Sequence, residues 1–367
     1  MDTGLCRWGI LGTAHIARKN WQAIALAGNA SLVAVASRSL ERSRQFVADC
    51  LVSCPLPAAP AALAGYDELL ARRDVDAVYI PLPTGVRKEW GLRAAAAGKH
   101  VLVEKPVGVT ADDVREMLAA CERHGLQFMD GVMYLHGRRL EALRQTLDDG
   151  ESVGQVRRIA AQFSFAGDDG FFRSDIRMHS ALEPHGCLGD LGWYTLGFAL
   201  WVMNHELPAR VSGRLLAEAG RPDSPGKVPT EMSAELLFAG GASASLYCSF
   251  RTENQQWANV SGTRGSVHIP DFVLPFFGDE TCFEVTNSVL ETHGCDFDMR
   301  RRTRQVRVAE HGNSHPSSQE VALFRDFSAL VVSGRCDPHW GEVALRTQRV
   351  LDAVRRSAGE GREVTPG

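Results

Sequence analysis

Between residues 5 and 129 short apolar runs alternate with helical stripes, and this rhythm constrains the fold more than any other feature of the chain. Residues 5–11 read as a strand that runs directly into Gly12-Thr13-Ala14-His15-Ile16-Ala17 and a helix to about Ala27. Residues 31–36 form a second strand, followed by a helix over about 40–49. The proline-rich stretch 54–60 suits neither a helix nor a sheet interior and reads as a surface loop. A short helix at 66–72 leads to a third strand at 75–80, which ends in Pro81-Leu82-Pro83-Thr84. Thr84 stands where it can cap the next helix, whose apolar face is Val86, Trp90, Ala94 and Ala97. Residues 100–103 are a fourth strand, Thr110-x-x-Asp113 a capping-box pattern, and 126–129 a further strand. Continuous apolar strands separated by helices predict a doubly wound parallel sheet covered on both faces, here an N-terminal α/β Rossmann domain over 1–130.

Several sites in that region bear on chemistry. Gly12, Ala14 and Ala17 occupy the three positions of the dinucleotide fingerprint, with alanines at the second and third. A first glycine permits the tight turn, and the amides of Thr13, Ala14, His15 and Ile16 at the helix start then face a pyrophosphate. The second strand ends in Ser37-Arg38-Ser39, with no carboxylate to take a ribose 2′-hydroxyl. Arg38 can instead pair with a 2′-phosphate, which favours NADP over NAD, although the same arginine suits a solvated loop. Lys105 lies at the carboxyl end of the fourth strand, the ligand crevice of an open α/β sheet, and Pro106 restricts where it points.

Beyond Gly150 the rhythm changes. Residues 154–165, 211–216, 233–238, 242–250, 257–261, 266–269, 282–286 and 304–308 look extended, with short connections rich in Gly, Pro, Asp and Asn. They predict an α+β C-terminal domain over 131–367, built on a large, mostly antiparallel open sheet. One face is covered by helix, and the other is free to join a second subunit, as a dimer or tetramer. Within this half, Gly186, Gly189 and Gly192 recur at intervals of three, and Asp190 and Tyr194 stand four apart. On a helix that spacing puts a carboxylate and a phenol on one face, while the glycines allow close approach. Arg177, His179 and His185 precede this segment and can line a pocket, yet they equally suit capping or surface positions.

Composition narrows the class. With 44% hydrophobic and 23% charged residues the chain reads as a globular protein, and a formal net charge of −4 gives no reason to expect a nucleic-acid partner. No apolar run reaches the ~18 residues of a membrane span. Met1-Asp2-Thr3-Gly4 has no basic-then-apolar leader pattern. Nine scattered cysteines fit a reduced, cytoplasmic protein better than a disulfide framework, and they show no metal-ligand spacing.

The sequence resembles the glucose-fructose oxidoreductase / inositol dehydrogenase / MocA family. The resemblance is carried by Gly9-Ile10-Leu11-Gly12-Thr13-Ala14, Tyr79-Ile80-Pro81-Leu82-Pro83-Thr84, Glu104-Lys105-Pro106, Gly189-Asp190-Leu191-Gly192-Trp193-Tyr194 and the closing helix over 345–354. It implies an NAD(P)-dependent oxidoreductase acting on a sugar, polyol or diol-like small molecule. Lys105 is then the catalytic lysine, and Asp190 and Tyr194 match the family's Asp-x-x-x-Tyr/His pair. Pro81, Leu82, Thr84 and Glu104 join the cofactor contacts. At Thr84-Gly85-Val86-Arg87-Lys88 the chain departs from the Asn and His of many members. A lysine ammonium near Tyr194 is expected to lower the phenol's pKa and fit it for acid–base work. Two other functions remain compatible with such a chain: a cofactor-binding sensor without catalysis, and a glycosidase that retains NAD. A sensor needs neither Lys105 nor Tyr194, and a glycosidase shows no net redox.

Overall fold

A computed structural model describes residues 4–367, so the leader expectation at residues 1–4 falls mostly outside the described residues. The first half builds one six-stranded sheet. Its elements are β1 (Cys6–Leu11), α1 (His15–Leu26), β2 (Ala30–Ser37), α2 (Leu40–Ser53), β3 (Ala61–Ala64), α3 (Tyr66–Leu70), β4 (Ala77–Ile80), α4 (Thr84–Ala96), β5 (His100–Val103), α5 (Ala111–Arg123) and β6 (Phe128–Asp130). The strand order is β3-β2-β1-β4-β5-β6 with every pairing parallel. Order reverses at β1 and β4, so the carboxyl ends of these strands frame a ligand crevice. β4 and β5 are almost wholly buried because helices cover both faces, which is why they read as unbroken apolar runs. β3 was not expected: three alanines and one leucine, Ala-Ala-Leu-Ala, give no alternation and pair only at the sheet edge. The capping box on α5 is present, with Thr110 and Asp113 satisfying each other's backbone amides.

The second half contains α6 (Arg138–Asp148), β7 (Val156–Ser164), α7 (Asp169–Ser174), α8 (Trp193–Val202), β8 (Arg210–Ala219), β9 (Val228–Leu237), β10 (Ser243–Ser249), β11 (Gln255–Gly262), β12 (Ser266–Ile269), β13 (Glu280–His293), β14 (Asp296–Ala309), α9 (Gln319–Ser333) and α10 (Pro338–Glu360). Its sheet runs β14-β13-β12-β11-β7-β10-β9-β8, antiparallel except where β7 and β10 pair in parallel. Residues 159, 161 and 163 of β7 point into the core, and 160 and 162 face out. α8 carries no charge and is buried nearly all round, as a helix must be when sheet lies on one side and another helix on the other. β13 and β14 extend well beyond the segments the sequence suggested, because their far halves form a two-stranded ribbon with no buried face to impose a pattern.

The chain does not keep its two halves apart. α9 packs Val321, Leu323, Phe324 and Phe327 into the same core as Trp8, Trp21 and Tyr79. The Trp8 ring lies 5.0 Å from both Phe324, met edge-on, and Phe327, tilted against it, and its indole N–H donates to Ser328 Oγ at 3.0 Å. No helix among the described residues is long and apolar enough to cross a membrane.

Candidate active site

At the end of β1 the chain turns through Gly12, whose φ is +119°. A Cβ there would lie 2.9 Å from Leu82 Cδ2, so glycine is required both by conformation and by the close approach of the β4 loop. α1 then starts at His15 with no side chain capping its first turn, which leaves amides of Ala14, His15 and Ile16 available to an anion. His15 and Ile16 are exposed at this point, Thr13 and Ala14 half-buried, and Pro81 and Leu82 close the crevice floor. At the end of β2 the Ser37 hydroxyl turns inward, donating to the Ser39 carbonyl at 2.6 Å and bonding Ser43 at 3.0 Å. That arrangement fixes the turn from which Arg38 projects, exposed and without an ion-pair partner among the described residues. An uncapped helix start, a glycine cradle and a free guanidinium fit a phosphorylated dinucleotide.

Thr84 departs from its expected role. It is the first residue of α4, not its cap, and it is buried. Glu183, from the second half of the chain, takes the cap's place: its carboxylate accepts the Thr84 amide at 3.1 Å and the Thr84 hydroxyl at 2.5 Å. Gly85 N–H donates to the Leu182 carbonyl at 2.9 Å, and Arg87 bonds the Leu82 carbonyl, Thr84 and the Pro106 carbonyl. The loop over 179–186 is thus latched onto the start of α4. Thr84 spends its polar atoms on this latch.

Glu104 is held between elements of the first half. Tyr79 donates to its Oε1 at 2.5 Å, Asn20 donates to the Tyr79 hydroxyl at 2.6 Å, and the Lys105 amide reaches Oε2 at 3.2 Å. Lys105 follows, joined to Pro106 by a cis peptide bond. Its ammonium crosses to the second half, donating to Asp190 Oδ1 at 2.7 Å and to the Asp190 carbonyl at 2.6 Å. The same Nζ sits 4.7 Å from the centroid of the Tyr194 ring. The three residues singled out from two distant motifs therefore meet.

The local backbone explains how. Residues Leu188–Gly192 form a π-helical turn, a geometry frequent at functional sites, before α8 begins at Trp193. A Cβ on Gly189 would lie 3.0 Å from Pro106 Cγ and 2.7 Å from His185 Cβ, so the glycine lets the turn press against the Lys105–Pro106 strand end. Trp193 anchors α8 by donating its indole N–H to Asp130 Oδ2 at the end of β6, at 3.2 Å.

Electrostatics differ from expectation at one point. Burial, followed by the nearby Glu104 and Asp190 carboxylates, raises the Tyr194 phenol well above its ordinary value. The lysine over its ring face does not lower it, because burial and the surrounding carboxylates outweigh the one cation. Burial alone would raise Asp190 too, but Lys105 and Arg177 outweigh it and hold that carboxyl below the usual range. Asp130, fully enclosed, is pushed up to about 7 by burial.

The remaining candidates separate. Arg177 reaches the centre: its Nε is 2.7 Å from Asp190 Oδ2. His185 does not; it is buried with Nε2 at 3.0 Å from the Val109 carbonyl and Nδ1 at 3.0 Å from Arg355, and burial pushes it down to about 3. Its ring is a neutral strut between the loop after β5 and α10. His179 accepts the Leu182 and Glu183 amides through its carbonyl, while its Nδ1 has no hydrogen-bond partner. Sequence reasoning did not find Glu183, Asp130 or Tyr134, a buried phenol 6.1 Å from the Tyr194 ring. A buried acid on an apolar strand end, as at Asp130, was the one signal available.

Residues 6–132 match a model described as an oxidoreductase family NAD-binding Rossmann fold, and residues 140–268 match the GFO/IDH/MocA C-terminal domain. A D-xylose 1-dehydrogenase (NADP(+)) of Haloferax volcanii is 33% identical over 89% of this chain and 96% of its own length. A trans-1,2-dihydrobenzene-1,2-diol dehydrogenase of Bos taurus is 31% identical over 72% of this chain and 74% of its own. The crystal structure of a 3-ketoreductase from Actinomadura kijaniata, in complex with NADP and TDP-benzene, superposes with a TM-score of 0.79 at 26% identity, covering 96% of this chain and 98% of that one. With models matched across both halves and relatives matched along most of its length, the chain belongs to the GFO/IDH/MocA oxidoreductases and is an NAD(P)-dependent dehydrogenase or reductase acting on hydroxyl or keto groups.

Proposed function

We propose that this enzyme interconverts a carbinol and a carbonyl on a sugar, polyol or diol-like substrate, with Lys105, Tyr194 and Asp190 gathered around the reacting oxygen. The observation that carries this reading is the Lys105 ammonium, just beyond the carboxyl end of β5, placed 2.7 Å from Asp190 and 4.7 Å from the Tyr194 ring centroid. A bound nicotinamide supplies or accepts the hydride. The protein's own residues must then manage the proton on the oxygen. Lys105 polarises that oxygen, and Asp190 holds Lys105 in place. Tyr194 is protonated at neutral pH, the state from which a phenol delivers a proton to a developing alkoxide when a carbonyl is reduced. Working the other way, Tyr194 would have to lose a tightly held proton first.

Three further points belong to the proposal. NADP is preferred over NAD through Arg38. The chain divides into a cofactor-binding unit over 1–130 and a substrate-binding and oligomerisation unit over 131–367. The outer face of the eight-stranded sheet, a concavity of about 620 Å³ lined by Gln162, Tyr247 and Trp257 among others, joins a second copy of this chain. The reading is tested by a panel of D-xylose, other aldoses, polyols and trans-1,2-dihydrobenzene-1,2-diol, with their keto counterparts, followed by nicotinamide absorbance. Turnover of at least one pair is expected, and Y194F should lower it about 10²–10⁴-fold. Y194F at wild-type turnover removes the phenol from the mechanism, and silence across the panel counts against the substrate class.

A further inference from the structure

Arg177 touches the reacting centre, yet the chemistry above leaves it without a task. Its Nε lies 2.7 Å from Asp190 Oδ2, while Lys105 holds Oδ1 at 2.7 Å. Each oxygen of one half-buried carboxylate therefore has its own cation. The arginine is itself firmly presented. It sits in the 3-10 turn Ile176–Met178, where its amide donates to Asp175 Oδ1 at 2.9 Å and its Nη1 lies 3.3 Å from the same oxygen. Met178 is fully buried beneath it, and the Met178 carbonyl accepts the Arg221 amide at 3.0 Å. Two of its donor positions are thus committed to Asp190 and Asp175.

The division of labour follows from the two side chains. A lysine ammonium is a point charge on a flexible stem and imposes no direction on a carboxylate. A guanidinium is planar and rigid, so the ion pair at Nε anchors Oδ2 on one side of the carboxylate. Asp190 also lies in a π-helical turn, where its main-chain carbonyl is occupied by the same lysine. With Arg177 on Oδ2, Oδ1 is left aimed at Lys105. Without Arg177 the carboxylate is free to rotate, and Lys105 is left with the Asp190 carbonyl as its one fixed acceptor.

We propose that Arg177 is a positioning residue that acts through Asp190 to aim Lys105, and that it is not a substrate ligand; this rests on the dehydrogenase reading above. The test uses the panel compound that the wild-type enzyme turns over fastest, with NADPH binding measured alongside. R177Q should lower kcat about 10–100-fold while substrate KM and the NADPH Kd stay within about twofold. R177K keeps the charge without the planar fork; it should stay folded, with an intermediate kcat. Added guanidinium should restore part of the turnover of R177A. On a D190N background R177Q should cost nothing further, since both act through one carboxylate. An unchanged kcat in R177Q and R177K, a rise confined to KM, or losses that add to those of D190N would each overturn the proposal. Wild-type silence on the panel, or full turnover by D190N, instead strikes the reading beneath it.

Discussion

At the scale of single residues, two groups set measurable properties. Arg38 is the sole charged side chain presented by the Ser37-Arg38-Ser39 turn, and its planar fork suits a 2′-phosphate. R38A should raise the Kd for NADPH about 10–100-fold, since a bond between two charged groups is worth about 1.5–3 kcal/mol. Binding of NADH should change little; equal losses for both cofactors would assign Arg38 elsewhere. Asp130 makes the second case. Its carboxyl is raised to about 7 by burial against an ordinary value near 3.8, so the native state holds a proton that the unfolded chain has released. Stability from this group is present at acid pH and is lost as pH climbs through that window. Denaturant unfolding at pH 5 and pH 8 should show the wild type losing stability over the interval, with D130N losing less. An identical decline in both proteins would remove Asp130 from the balance. Sequence alone located Arg38 and Lys105 because strand ends have a known place in this sheet. It misjudged the state of Tyr194, because burial depends on elements far along the chain that pattern does not locate.

Elements meet across the crevice through the Glu183 latch. α4 begins without a side-chain cap of its own, so its first amide depends on a carboxylate from the loop over 179–186. Removing that carboxylate leaves the Thr84 amide and the Thr84 hydroxyl proton without an acceptor and takes an anion from beside Arg87. E183A should cost about 1–3 kcal/mol in denaturant unfolding. A cost near zero would mean that water satisfies the helix start. This contact was illegible in the sequence: Thr84 carried the local signal of a cap, and its true partner lies 99 residues away. Regular elements fared better. The strands of the first sheet were readable because burial on both faces forces apolar runs, whereas Ala61–Ala64 at the edge left no such mark. In the second sheet the alternation held only where one face packs on helices, and the outer ribbon of β13 and β14 escaped it.

For the molecule as a whole, the alternating rhythm made the doubly wound sheet and the later open sheet legible. The periodicity of α9 announced a helix without announcing its address, since an apolar stripe does not say which core it joins. That address matters during synthesis. Trp8 and Ser328, 320 positions apart, share a hydrogen bond, so one aromatic layer of the first sheet is finished by residues that leave the ribosome long after it. A nascent or truncated product ending near residue 132 would carry Trp8 and Tyr79 with their covering helix missing, offering a sticky face to chaperones and to other chains. Such a fragment, made alone, should bind a hydrophobic dye and precipitate, and supplying α9 as a fused segment should suppress both.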